Sequence, residues 1–235
     1  MPAGKIYAGT SGWAYASWKP KFYPAKLASA KFLGYYATRL NSVEVNYTFR
    51  SQVTKKLLAE WIAATPAQFK FAVKAHQTIT HIKRLRRTAK LTSKFLASLE
   101  PLREAGKLGP VLFQLPPNFK CDIALLEDFL AGLPRHARAA MEFRNPSWFV
   151  DDVYERLRRA DVALCQAESN KLETPDVATA DFRYFRLRKE KYSPAARKAI
   201  SKKIKDASRG GDVFVYFKHE DTPRGALYAE ALLEM

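Results

Sequence analysis

The chain has 235 residues, 47% of them hydrophobic, and carries 40 Lys and Arg against 23 Asp and Glu, a formal net charge of +17. That length suits one α/β barrel of about 250 residues. No apolar run approaches the roughly 18 residues of a membrane span, so no membrane insertion is expected, and the basic surplus favours anionic partners such as nucleic acid or phosphorylated ligands.

The opening Met1-Pro2-Ala3-Gly4-Lys5 lacks the regions of a secretory signal, so a cytoplasmic location is expected. Cys121 and Cys165 are far apart and outside any CxxC pair, which predicts buried free thiols rather than a disulfide framework or a thiolate metal cage.

Short β-rich runs alternate with helical spacing along the chain. Strands are expected at 6–10, 42–49, 69–75, 110–115, 139–144, 162–168, 184–188 and 213–218. Helices are expected at 30–40, 53–64, 91–105, 123–133, 153–160, 194–207 and 226–233, with a weak or missing helix after the sixth strand. Parallel neighbours need long crossovers, and eight such units predict a parallel (β/α)8 TIM-type barrel, with residues 1–235 as one domain. An open doubly wound sheet is the alternative, but no GxGxxG or GxxxxGK[ST] supports its nucleotide-binding versions, and no cofactor is expected.

Strand parity then locates a candidate pocket, because alternate side chains point to the helices and to the barrel axis. With Val43, Val45, Tyr47 and Phe49 outward, Glu44, Asn46 and Thr48 point inward. The same reading puts Lys74 and His76, Gln114, Glu142 and Arg144, Gln166 and Glu168, Arg186 and Arg188, and Tyr216 and Lys218 on the axis side. These lie toward the C-terminal strand ends, where barrel enzymes keep their active sites. Lys74, Arg144, Arg186, Arg188 and Lys218 against Glu44, Glu142 and Glu168 leave two positive charges in excess. Such an excess in a low-dielectric pocket points to a bound phosphate or carboxylate, whereas a self-neutralising ion network is the simpler alternative.

In the first loop Gly9-Thr10-Ser11-Gly12-Trp13, followed by Tyr15, Trp18, Phe22 and Tyr23, joins glycine to aromatic residues. Gly12 and Trp13 fit a ligand face, and a hydrophobic lid fits equally.

Three functions are consistent with these residues. In the first, Glu142 or Glu44 acts as general acid or base on a small phosphorylated or carboxylated substrate held by Arg186, Arg188 and Lys218. His81 is a second catalytic candidate because its ring titrates near neutrality, and a helix-capping role is the alternative. In the second, the basic runs Lys83-Arg84, Arg86-Arg87, Lys90, Lys94 and Arg197-Lys198, Lys202-Lys203, Lys205, Arg209 track nucleic-acid phosphates, with Trp13 or Trp18 stacking on a base. Solvated helix faces account for such runs as well. In the third, Glu44, His76, Glu142, Glu168 and His219 hold a metal, but the neighbouring cations oppose a divalent ion and no metal is expected.

Several segments also resemble a known family: Gly9-Thr10-Ser11-Gly12-Trp13 with Phe22-Tyr23-Pro24, Val43-Glu44-Val45-Asn46 with Thr48-Phe49, and Phe71-Ala72-Val73-Lys74-Ala75 with Thr80-His81. Leu112-Phe113-Gln114-Leu115-Pro116-Pro117, Glu142-Phe143-Arg144-Asn145 with Ser147-Trp148, and Tyr184 to Leu187 follow in the same order. Together they resemble the YecE-like family, domain of unknown function 72, over essentially the whole chain. The resemblance implies a TIM barrel with no established activity and adds Trp148 to the ligand-contact candidates. The family pattern has His-Gly after the seventh strand and an Asn pair after the eighth, where this chain has Arg188-Lys189 and Phe217-Lys218-His219-Glu220-Asp221. The chain thus resembles a basic subgroup, and family contacts at those positions do not carry over.

Overall fold

The structure, a computed structural model, describes residues 3–168, 172–218 and 221–234. Eight parallel strands, β1 (Ile6–Thr10), β2 (Ser42–Val45), β3 (Lys70–Lys74), β4 (Leu108–Gln114), β5 (Ala139–Glu142), β6 (Val162–Ala167), β7 (Phe182–Leu187) and β8 (Asp212–Phe217), form one sheet. Its order β1-β8-β7-β6-β5-β4-β3-β2 curls into a (β/α)8 barrel. Around it lie α1 (Phe32–Arg39), α2 (Lys55–Ala63), α3 (Ala89–Ser98), α4 (Glu100–Glu104), α5 (Ile123–Ala131), α6 (Asp151–Arg159), α7 (Pro194–Ser208) and α8 (Arg224–Leu233).

Helix starts follow local chemistry. Thr54, Asp122 and Ser193 each accept a hydrogen bond from a backbone N-H three residues on, opening α2, α5 and α7. The helix expected over 91–105 is two helices. Pro101 has no N-H to bond the preceding turn, and the backbone breaks at Leu99. Between β6 and β7 the described residues hold no helix, as expected.

The outward side chains of the strands, such as Val43, Phe71, Phe113, Met141, Leu164 and Val215, join the helices in the larger core. Inside the barrel, Tyr7, Phe182, Tyr184, Phe214 and Tyr216 face Ala72, Leu112, Ala140, Ala163 and Cys165. Tyr7 stacks on Phe214 at 4.7 Å, and Tyr184 tilts against Tyr216 at 5.3 Å. Rings from β1, β7 and β8 thus occupy the space that alanines on β3, β5 and β6 leave free, so the interior is packed rather than hollow.

Two parity expectations fail. On β6 it is Ala163 and Cys165 that line the interior, while Val162 and Leu164 pack outward. Gln166 and Glu168 therefore belong to the helix side, because the ring-filled axis admits only small side chains from this strand. After Val45 the chain leaves the strand for a 3-10 turn over Tyr47–Phe49, which turns Tyr47 to solvent at 52% exposure.

β1 and β2 end the sheet order, and side chains join them. Asn41 accepts from Ala8 N-H at 2.8 Å and donates to Ile6 O at 2.8 Å, so its amide copies a peptide group of a neighbouring strand. Tyr36 OH accepts from Thr10 N-H at 2.9 Å and donates to Ser42 O at 3.0 Å. A Cβ on Gly9 would lie 1.9 Å from Ser42 O, so this close approach requires glycine.

Candidate functional site

Above the aromatic plug, the inward positions at the C-terminal strand ends change from rings to ions. Arg186 on β7 is fully enclosed and donates from Nη1 to Glu142 Oε2 at 2.5 Å and from Nη2 to Glu44 Oε1 at 2.7 Å. Glu44 Oε1 also accepts from Ser11 Oγ at 2.9 Å, and Oε2 from Tyr184 OH at 2.8 Å. Glu142 Oε1 accepts from Gln114 Nε2 at 2.8 Å and from Arg144 Nε at 2.9 Å.

Burial opposes charge on both carboxyls, but Arg186, Arg188 and the donated hydrogen bonds together outweigh it and hold Glu44 and Glu142 below the usual carboxylate range. Burial likewise opposes the charge of Arg186, and the two carboxylates raise its pKa well above the ordinary value. Both glutamates are therefore ionised at neutral pH and have each oxygen engaged. The acid or base role expected of them has no proton to give and a poor base to receive one, and they act as counter-ions that fix Arg186.

Over this floor opens a cavity of about 490 Å3 whose basic lining comprises Arg50, Lys74, Arg144, Arg186, Arg188 and Lys218. Ser11, Asn46, Phe49 and Gln114 complete it. Arg188 makes no ion pair among the described residues, and its Nε is buried without an acceptor. Burial first, and the charge of Arg186 second, act against its own charge. Asn46 donates weakly to Glu44 Oε1 at 3.4 Å while its side-chain Oδ1 is buried with no donor. Lys74 Nζ donates to Gln114 Oε1 at 2.8 Å and stands 4.0 Å from the centre of the Phe49 ring. A larger hollow of about 640 Å3 opens beside α5 and α6 at the other end of the strands, and its Arg156 already pairs with Glu127.

The cavity thus gathers Asn46, Lys74, Gln114, Arg144, Arg186, Arg188 and Lys218, with Glu44 and Glu142 beneath them. Other candidates lie elsewhere. Glu168, on the helix side, bonds the Tyr192 hydroxyl and lies 3.4 Å from Lys189 Nζ. Its loss from the pocket raises the cation excess above the two charges that parity suggested. Trp148 is fully buried, stacked on Phe143 at 4.6 Å and donating to Phe119 O, so it packs the outer core rather than touching a ligand. Tyr216 lies one layer below the ions, its hydroxyl sharing a 2.7 Å hydrogen bond with Ser42.

His76 Nδ1 accepts from Thr78 N-H at 3.2 Å. His81 sits in a single π-helical turn (Thr78–Ile82), its Nδ1 2.9 Å from Thr80 Oγ1 and its ring edge-on to Phe49 at 4.9 Å, so it borders the pocket. Burial, then the charges of Lys74 and Arg144, lower its pKa and favour the neutral ring. In the first loop Gly12 has φ +106°, Trp13 packs edge-on to Trp61 at 5.4 Å, and Trp18, Phe22 and Tyr23 are buried. The loop aromatics act as a lid packed on the barrel, and Ser11 is the loop side chain that reaches the ions.

The proposed metal set is not assembled: Glu168 faces away, His219 lies outside the described residues, and no three His, Cys, Asp or Glu among the described residues group as metal ligands. Sequence reading missed Phe49, Ser11, Tyr184 and Arg50. Tyr184 shares the parity of Arg186 and was legible; Phe49 was not, because its direction depends on where β2 ends.

A family model described as "Protein of unknown function DUF72" matches residues 7–235. The chain belongs to the DUF72 family. Every cavity-lining residue of this DUF72 barrel falls within that match. Among curated relatives, the UPF0759 protein YunF of Bacillus subtilis is 34% identical over 161 residues, 64% of this chain and 55% of YunF. The UPF0759 protein YecE of Escherichia coli is 30% identical over 145 residues, 61% of this chain and 50% of YecE. The chain spans about half the length of the curated relatives it matches. A DUF72 family crystal structure from Thermotoga maritima is similar with a TM-score of 0.88 at 28% identity, covering 98% of each chain. Another from Enterococcus faecalis gives a TM-score of 0.82 at 20% identity, covering 98% of this chain and 96% of that one, a likeness of fold. Among the described residues no helix is long and apolar enough to cross a membrane.

Proposed function

We propose that this DUF72 protein binds a small phosphorylated or carboxylated ligand in the basic cavity at the C-terminal ends of its strands. The observation that carries the reading is Arg188. Arg186 donates from both terminal nitrogens to Glu142 and Glu44, whereas Arg188 lines the cavity next to it with no carboxylate partner among the described residues; the Nε of each is buried without an acceptor. A partly buried cation beside another cation is costly, and an anion bridging Arg188 and Arg144 relieves that cost with charge-assisted hydrogen bonds. Phosphate sites at the last strands of barrels have the same placement.

Calorimetric titration with inorganic phosphate and pyrophosphate tests the reading. Binding to the parent is expected, with affinity falling roughly ten- to a hundredfold in Arg188→Ala, the worth of one charge-assisted hydrogen bond of about 1.5–3 kcal/mol. Unfolding of the free variant should occur at the parent temperature or above it, because an uncompensated cation has been removed. Equal affinity in parent and variant, or no binding at millimolar phosphate, would sink it.

A phosphate within a nucleic-acid strand offers the same chemistry, and one observation favours this second reading. Arg84, Leu85 and Arg87 hold left-handed backbone (φ +48°, +67° and +51°) beside the turn that carries His81, and Arg84 reaches across to Asn118 in the loop after β4. The basic loop therefore borders the pocket end of the barrel. Single-strand binding whose affinity drops steeply with salt, and which weakens in an Arg84→Ala/Arg87→Ala variant, supports it; salt-independent retention overturns it.

A further inference from the structure

Two lysines are withdrawn from solvent in very different company. The ammonium of Lys107 donates to three oxygens, Ile62 O at 2.7 Å, Thr65 O at 2.6 Å and Thr65 Oγ1 at 2.9 Å. Lys74, at the end of β3, has Gln114 Oε1 as its hydrogen-bond acceptor. Gln114 is fixed in turn, since its Nε2 donates to Glu142 and so commits its oxygen to Lys74. Lys74 also stands 4.0 Å from the centre of the Phe49 ring and shares the cavity with Arg50, Arg144, Arg186, Arg188 and Lys218. Burial first, then the charge of Arg186, push its ammonium down to about 8 against the pull of Glu142 and Glu44. About a tenth of Lys74 is therefore neutral amine at pH 7, far more than for a lysine at its ordinary value, and a nucleophilic lysine requires that neutral form.

We propose that Lys74 is a catalytic residue whose amine forms an imine with the carbonyl carbon of a small anionic aldehyde or ketone held by Arg188 and Arg144. The proposal rests on the anion-binding reading and adds the class of substrate. In the step, the Nζ lone pair forms the C-N bond while the C=O π pair moves onto oxygen. Nitrogen then gives up both its protons, the first to the alkoxide to make the carbinolamine hydroxyl and the second to that hydroxyl as the C-O bond breaks and it leaves as water. Amine plus carbonyl gives imine plus water, with no oxidant or reductant consumed. The guanidiniums that bind the anion also stabilise the oxygen charge that develops, and His81 at the cavity border is placed for the proton traffic.

The test is reductive trapping on the whole chain. Pyridoxal 5′-phosphate, as a phosphorylated aldehyde, is added below stoichiometry, reduced with borohydride and mapped by mass spectrometry. Lys74 should carry the adduct in roughly tenfold preference over other lysines, and excess inorganic phosphate should suppress it. Acetaldehyde, which has no charge, should also label Lys74 first, with a rate rising to half its maximum near pH 8. Neither experiment needs a variant to fold. Lys74→Arg should lose the adduct. Labelling spread evenly over the lysines with both aldehydes, while calorimetry still shows phosphate bound, overturns the imine proposal and leaves the anion site standing. Preferential labelling by acetaldehyde with no phosphate binding overturns the anion reading and the substrate class, and upholds the reactive amine alone.

Discussion

The two halves of the barrel interior are built from the same strands with the same alternation, yet they are filled by opposite means. In the N-terminal half Tyr7, Phe182 and Phe214 meet the alanines of β3, β5 and β6, and nothing but volume has to match. In the C-terminal half Glu44, Glu142, Gln114 and Arg186 meet, and there a stoichiometry has to match as well. Arg186 alone bridges both carboxylates. Lys74, Arg144 and Arg188 line the cavity above it, and of these Arg144 also reaches Glu142. The difference lies in what each half must balance: the plug matches volume alone, whereas the charged end has more cations than carboxylates among the described residues, the imbalance on which the proposed anion site rests.

Breaking the charged end should have the largest effect. Arg186→Met leaves two buried carboxylates without their shared cation and should cost about 3–5 kcal/mol, or abolish folding, by thermal or urea denaturation. A loss under 1 kcal/mol would mean that Arg144 and Arg188 swing in to replace it. Phe214→Ala, at the plug, should cost about 3–4 kcal/mol through lost burial and a cavity, with no change in phosphate affinity. A change in affinity would show that the two halves are coupled.

The smallest effect sharpens the contrast through pH. With the Lys74 pKa depressed to about 8, the unfolded chain binds more protons between there and the ordinary lysine value of about 10.4, so stability should rise with pH across that window. Glu44 and Glu142 are depressed in the folded state. Their contribution is present above the ordinary carboxylate range and is lost as pH falls through their folded values. Unfolding midpoints of parent and Lys74→Met across alkaline pH should converge only if Lys74 is the group responsible for the alkaline gain. Parallel curves would remove it from that role.

Much of this was legible in the sequence because alternation is a strict property of strands. Glu44, Lys74, Gln114, Glu142 and Arg186 followed from the apolar residues on either side of them. The reading failed where alternation is not the controlling factor. On β6, Val162-Ala163-Leu164-Cys165 is apolar on both parities, so size rather than polarity chose the inward face, and Glu168 was assigned to the wrong side. At Phe49 the strand had already ended. Trp148 stands in a motif next to Arg144, but adjacency in sequence at a strand end says nothing about which layer a ring enters. That Arg188 has no ion pair among the described residues is a fact of three dimensions that no pattern of residue types expresses.

The side chains of Asn41 and Tyr36 stand where a ladder between β1 and β2 would run, and one of them grows from α1. Helix α1 is therefore less a covering than a ninth stave, pegged into the wall it leans on. Lifting the helix and parting the wall become a single event. The backbone amide of Thr10, although it sits in a strand, keeps the same clock as the helix and opens to solvent only when it departs.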